Sequence, residues 1–101
     1  MYQSIQYNSQ QGVATISLNR PEVYNALNNG IKLELQQAFQ QAEEDHTVRV
    51  VVLTGNGKAF SSGQDLKAAH TEMRGHSYAE AIRQYYNPLI LRMRQMEKPV
   101  L

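Results

Sequence analysis

The sequence predicts an α/β domain. Two strand-like runs flank a glutamine–glycine turn near residue 11, apolar residues recur at helical spacing from 31 to 42, and a β-branched run fills 49 to 54. At 101 residues the chain has room for one compact domain with a modest core.

Residues 2 to 8 alternate weakly, with Gln3, Ile5 and Tyr7 on one side, which predicts a short edge strand. Gln10-Gln11-Gly12 is the turn, and Val13 to Leu18 form the second strand of a hairpin, favoured by Val, Thr and Ile. Asn19-Arg20-Pro21-Glu22 ends it, because Pro21 has no N–H for a ladder. A helix is expected to start near Asn28, whose side chain can accept from an early helical N–H. Ile31, Leu35, Phe39 and Ala42 form its apolar stripe, with Glu34, Gln37 and Glu44 off it. Residues 49 to 54 are apolar almost throughout, so this strand is expected to be buried on both faces.

Gly55-Asn56-Gly57 closes that strand and leads into Lys58-Ala59-Phe60-Ser61-Ser62-Gly63-Gln64-Asp65-Leu66. Residues 66 to 77 are polar and contain Gly75, reading as a short helix and a loose loop. A second long helix is expected from Tyr78, with Ile82, Tyr85 or Tyr86, Leu89, Met93 and Met96 on one face. Pro88 should kink or break it at Asn87, after which it should continue to about Lys98. Val100-Leu101 have the look of a further strand beginning after Pro99.

Composition excludes several functions. With no cysteine there is no disulfide framework, no thiol nucleophile and no Cys-ligated zinc, which fits a reducing compartment such as the cytoplasm. Ten Lys+Arg against nine Asp+Glu give a formal charge of +1, unlike a basic nucleic-acid binder. No apolar run is long enough to span a membrane, and the first residues lack the pattern of a secretory signal.

The stretch from 55 to 66 is the best candidate for a site. A buried strand, a glycine turn, a loop of small residues and a helix start near Asp65 would present unpaired backbone N–H groups. Gly63 permits a sharp turn and close approach of a ligand, and the N–H of Gln64 could then stabilise an oxyanion. A plain turn capped by Asp65 is the commoner explanation of such a segment. Gly55-Asn56-Gly57-Lys58 has the wrong spacing for a phosphate loop and is followed by Ala59. His46, His70 and His76 lack the paired spacing of a zinc site, so no metal is expected. Ser61 and Ser62 lack a nucleophile elbow. Lys58 and Lys67 could meet phosphates or simply be solvated, Glu72 reads as solvated, and the Tyr85-Tyr86 pair reads as packing.

Three segments together resemble the crotonase superfamily, the enoyl-CoA hydratase/isomerase fold. They are Val13 through Asn28, then Val51-Val52-Leu53-Thr54-Gly55 with Lys58 through Leu66, and finally Glu97-Lys98-Pro99-Val100. The resemblance spans the chain in order and implies the N-terminal part of a ββα spiral fold, incomplete, with residues 1–101 forming part of a single domain. It implies that the Gln64 backbone N–H is one of two donors to a thioester oxygen. Lys58 and Lys67 match positions of basic groups near the CoA phosphates. Glu22, Val23, Tyr24, Ala26 and Ser62 match the backbone along the adenine and pantetheine path, and Gly63, Asp65 and Leu66 complete the substrate loop. Some relatives carry lysine where this chain has Glu22, which removes one basic contact.

The resemblance further implies that the second oxyanion loop, the acid–base carboxylate and the covering C-terminal helices lie beyond Leu101, so residues 1–101 alone are expected to be inactive. The substrate implied is an acyl-CoA thioester, with no separate cofactor. A homotrimer or dimer of trimers is expected, with neither nucleic-acid nor membrane partners. Gly63-Gln64-Asp65-Leu66 and Tyr86-Asn87-Pro88-Leu89 look most like ring-epoxide isomerases of phenylacetyl-CoA breakdown. Hydration of 2-enoyl-CoA is the alternative reaction, and a non-catalytic CoA-binding or subunit-pairing chain is the alternative class.

Overall fold

The computed structural model describes residues 2–63, 65 and 82–101. Strand β1 (Ile5–Gln10) and strand β2 (Val13–Leu18) form the expected hairpin, with β1 at the sheet edge. The turn rests on Gln11 and Gly12, both at positive φ (53° and 82°), the twist that a two-residue hairpin turn requires. Strand β3 (Val50–Gly55) lies parallel to β2 on its other side, with Ala14 opposite Val51 and Ile16 opposite Leu53. β1 begins three residues later than the alternation indicates. There the Gln3 and Ser4 N–H groups donate to the Glu34 carboxylate at 2.8–3.1 Å instead of to a strand.

Between β2 and β3 runs helix α1 (Asn29–Glu44), capped as expected: Asn28 Oδ1 accepts the Ile31 N–H at 2.9 Å. The predicted stripe of Ile31, Leu35, Phe39 and Ala42 is buried, and it packs with Ile5, Ala14, Ile16, Leu18 and Val51 into one core. Burial of a Leu, Ile or Phe side chain in such a core contributes roughly 1.5–3 kcal/mol. Lys32 is an unexpected member of the buried set at 2% exposure, with its ammonium 3.7 Å from the centroid of the Tyr86 ring. Tyr86 therefore does more than pack. Its π face offsets part of the desolvation of a buried cation.

Two expectations require correction. β3 was expected to be covered on both faces, but only Val51 is fully buried, with Val50, Val52 and Leu53 half-buried and Thr54 exposed. Among the described residues α1 covers one face only. The interruption expected at Asn87 is a change of helix type there and not a break. A π-helical segment (Ile82–Tyr86) runs directly into α2 (Asn87–Gln95), with Pro88 in the first turn. Pro88 brings no N–H to the carbonyls of the preceding turn, and the wider π turn just upstream accommodates that missing bond and the proline ring. α2 ends at Gln95, earlier than expected, where the Met96 N–H closes on the Arg92 carbonyl. Leu89 is buried, and Met93 and Met96 pack against the core.

The strand anticipated at the C-terminus is present in its first contacts. Val100 bridges Val51 in parallel, the Leu101 N–H donates to the Val51 carbonyl, and the Leu53 N–H donates to the Leu101 carbonyl, each at 2.8 Å. No helix among the described residues is long and apolar enough to cross a membrane.

Candidate functional site

The carboxyl end of the parallel pair β2–β3 carries two loops, residues 19–28 and 55–65, and the structure locks them together. Pro21 opens a short 3₁₀ turn (Pro21–Val23), after which Tyr24 and Asn25 both take left-handed backbone, with φ of 53° and 56°. Asparagine accepts that region more readily than most side chains. Asn25 is fully buried and holds both loops. Its Oδ1 accepts the Arg20 N–H at 2.7 Å, its Nδ2 donates to the carbonyls of Asn56 and Ala59 at 2.9 Å each, and its own carbonyl accepts the Ser61 hydroxyl at 2.8 Å.

Arg20 forms the second tie. Its Nη1 donates to the Ala26 carbonyl at 2.6 Å and to Asp65 Oδ2 at 3.0 Å. Backbone pairing completes the junction. The Ser62 N–H donates to the Tyr24 carbonyl, the Leu27 N–H to the Gly63 carbonyl, and the Asp65 N–H to the Leu27 carbonyl, at 2.7–2.8 Å. Leu27, immediately before the cap of α1, thus grips the chain on either side of position 64.

Gly63 sits at φ +92°, a conformation strained for any L side chain, and an added Cβ there would meet nothing within 4 Å among the described residues. The glycine satisfies the backbone geometry that other residues would resist. At the other end of the loop the glycines serve packing: a Cβ on Gly57 would lie 2.9 Å from the Pro21 Cβ.

The sequence-derived candidates fall into three groups. Glu22, Val23, Tyr24, Lys58 and Ser62 are exposed around this junction, Tyr24 at 57%, and Phe60 is exposed as well. Ala26, Gly63 and Asp65 are structural parts of the junction, with the Asp65 carboxylate turned onto Arg20 and 13% exposed. Gln64, Leu66 and Lys67 lie outside the described residues, as do Glu72, His70 and His76. The sequence reading assigned no role to Arg20 or Asn25. The signal available was an asparagine and an arginine flanking Pro21 within a short loop, where polar side chains replace ladder bonds.

No group of three or more metal-ligating side chains occurs among the described residues. A concavity between α1 and α2 involves neither loop, while one over β1, lined by Tyr2, Tyr7 and Gln41 among others, reaches the start of the first loop at Asn19.

A sequence profile of the enoyl-CoA hydratase/isomerase family matches residues 8–101. The chain is 36% identical over 94 residues to the 1,2-epoxyphenylacetyl-CoA isomerase of Escherichia coli (strain K12), covering 91% of this chain and 36% of that protein. It is 41% identical over 100 residues to a Rhodobacter capsulatus protein named "probable enoyl-CoA hydratase", covering 99% of this chain and 37% of the relative. The crystal structure of an enoyl-CoA hydratase/isomerase from Xanthobacter autotrophicus Py2 matches with a TM-score of 0.85 at 39% identity, over 99% of this chain and 38% of that one. The chain spans 36–37% of the length of these curated relatives.

Proposed function

The chain belongs to the enoyl-CoA hydratase/isomerase family of the crotonase superfamily, and from that membership we propose that it supplies the thioester-binding half of an acyl-CoA-processing site. The observation that carries this is the Gly63 turn. A glycine-only backbone with open space beside it is held on both sides by Leu27 and buttressed by Arg20 and Asn25. In this reading the Gln64 backbone N–H donates to the thioester carbonyl oxygen. As an enolate forms, charge grows on that oxygen, and a fixed donor stabilises the developing charge more than it stabilises the ground state. A second backbone donor and a proton-transferring carboxylate complete the chemistry.

CoA itself lies along the exposed rim. The backbone of Glu22, Val23 and Tyr24, with Ala26 and Ser62, lines the path of adenine and pantetheine, while Lys58 and Lys67 meet the phosphates as point charges. The CoA moiety arrives as part of the substrate, and no separate cofactor enters the scheme. The finer reading is ring-epoxide isomerisation of a phenylacetyl-CoA derivative, supported by the likeness to the isomerase relative. Hydration of a 2-enoyl-CoA is supported by the hydratase relative. For the active protein we propose a trimeric, cytoplasmic enzyme.

The experiment is titration calorimetry of an acyl-CoA at low and high salt against the active protein and its Lys58→Ala/Lys67→Ala double variant, followed by turnover assays with the two substrate types. Weaker binding and a flatter salt dependence in the double variant support the CoA path, because exposed charge pairs are screened by salt. Unchanged affinity in the double variant returns both lysines to the solvent, and no binding by the parent overturns the function.

A further inference from the structure

Lys98 takes no part in the loop junction described above. Its Nζ donates to the Ala42 carbonyl at 2.7 Å, the Glu43 carbonyl at 3.0 Å and the Asp45 carbonyl at 2.7 Å. These are carbonyls of the last turn and cap of α1, which lack intrahelical partners and carry the negative end of the helix dipole. α1 supplies no basic residue in its own last turn, where Glu43 and Glu44 add negative charge to that end. An ammonium has three donors, and here three acceptors match them. Lys98 is therefore fully engaged and holds no proton for a ligand.

The next residues enter the sheet at once. The Val51 N–H donates to the Pro99 carbonyl at 2.9 Å, and Val100 pairs with Val51 in parallel. The 99–101 segment thus runs in the direction of β3, toward the end where Gly55 opens the site loop. The opposite end of α1 starts beside that loop, one residue after its Asn28 cap and two after Leu27. α1 is a strut of 16 residues, about 24 Å long at the usual rise. One end adjoins the Gly63 turn, and the other is clamped by Lys98.

We propose that Lys98 is a positioning residue: it caps α1 across space and thereby sets the register in which the 99–101 segment joins β3. A slip of one residue there would shift the strand by about 3.3 Å and turn its side chains to the opposite face. The kinetic consequence rests on the acyl-CoA function proposed above. A strand displaced on that scale misplaces any group it carries toward the site, and errors near 1 Å already lower rates by about a hundredfold.

The test compares Lys98→Met and Lys98→Arg with the parent in the active protein. It reads kcat and KM for an acyl-CoA and hydrogen exchange at the Leu53 and Leu101 amides. For Lys98→Met we expect exchange at both amides to accelerate by about tenfold or more, the scale of a lost charge-assisted hydrogen bond. We expect kcat to fall by at least about tenfold while KM stays within about twofold, and Lys98→Arg to recover most of both readouts. Should Lys98→Met fail to fold, Lys98→Gln carries the same comparison. Parental exchange at Leu101 and parental kcat in a folded, charge-free variant would overturn the proposal. Loss of exchange protection in a protein whose parent turns over no acyl-CoA would uphold the clamp and count against the function alone.

Discussion

Arg20 and Asp65, 45 residues apart in sequence, form an ion pair with Nη1 and Oδ2 3.0 Å apart, their side chains 19% and 13% exposed. The same Nη1 reaches the Ala26 carbonyl, so one guanidinium joins the turn before α1 to the loop after β3. This pair adds a charged tie to the side-chain and backbone hydrogen bonds that hold the two segments together.

Arg20→Met should therefore destabilise the fold by about 2–3 kcal/mol, since it leaves a mostly buried carbonyl and carboxylate without that donor. Urea denaturation of parent and variant measures it. A midpoint equal to the parent's would show that the pair is solvent-screened and contributes nothing.

Gly63→Ala separates stability from binding. Its Cβ has open space, so only the backbone cost of φ +92° falls on the folded state, about 1–3 kcal/mol. The same Cβ would stand where the thioester is proposed to approach, so acyl-CoA affinity should fall by more than the stability loss implies. Thermal unfolding with and without ligand reads both effects. Equal affinity in the folded variant would place the ligand elsewhere.

Asp45 gives a pH signature. Hydrogen bonds from the Thr47 hydroxyl and N–H, at 2.6 and 2.9 Å, hold its carboxyl below the usual value of 3.8, with smaller help from the Lys98 and His46 charges. A lowered folded-state pKa means that the folded state binds the proton less well than the unfolded chain does. The stabilisation is then complete above the unfolded value near 3.8 and is lost as pH falls below it toward the folded value. Asp45→Asn should flatten the acid limb of stability against pH by removing the contribution present above about 4, and leave stability at the acid end little changed. An acid limb identical to the parent's would contradict the assignment. Tyr7 acts at the other extreme. Burial, with help from the Asp45 and Tyr2 charges, raises its phenol above 10.0, so its contribution persists to pH 10 and is lost as pH climbs through the higher folded value.

How much of this was legible in the sequence follows from the range of each interaction. β2, the Asn28 cap and the α1 stripe were legible because periodicity and capping are local patterns, and the strand start at Val100 because Pro99 ends the helix before it. The Gly63 turn was legible because only glycine tolerates its backbone. Arg20, Asn25, Lys32 and Lys98 were not, because each acts on partners far along the chain and leaves no periodic trace. Lysine is ordinarily solvated, so the burial of Lys32 under the Tyr86 ring depends on three-dimensional packing that the sequence does not display. The second face of β3 was misread for a related reason: apolar composition reports that a strand can be covered on both sides, whereas the cover depends on elements packed opposite.

The central claim is that a backbone N–H at position 64 holds the thioester oxygen. The bonds to Leu27 use the Gly63 carbonyl and the Asp65 N–H, so a proline at 64 removes the proposed donor without deleting either. The decisive measurement is kcat for Gln64→Ala and Gln64→Pro in the active protein, each first shown folded by circular dichroism. Gln64→Ala should keep most of the parental rate, and Gln64→Pro should lose about a hundredfold or more. A folded Gln64→Pro protein turning over acyl-CoA at the parental rate would contradict the account.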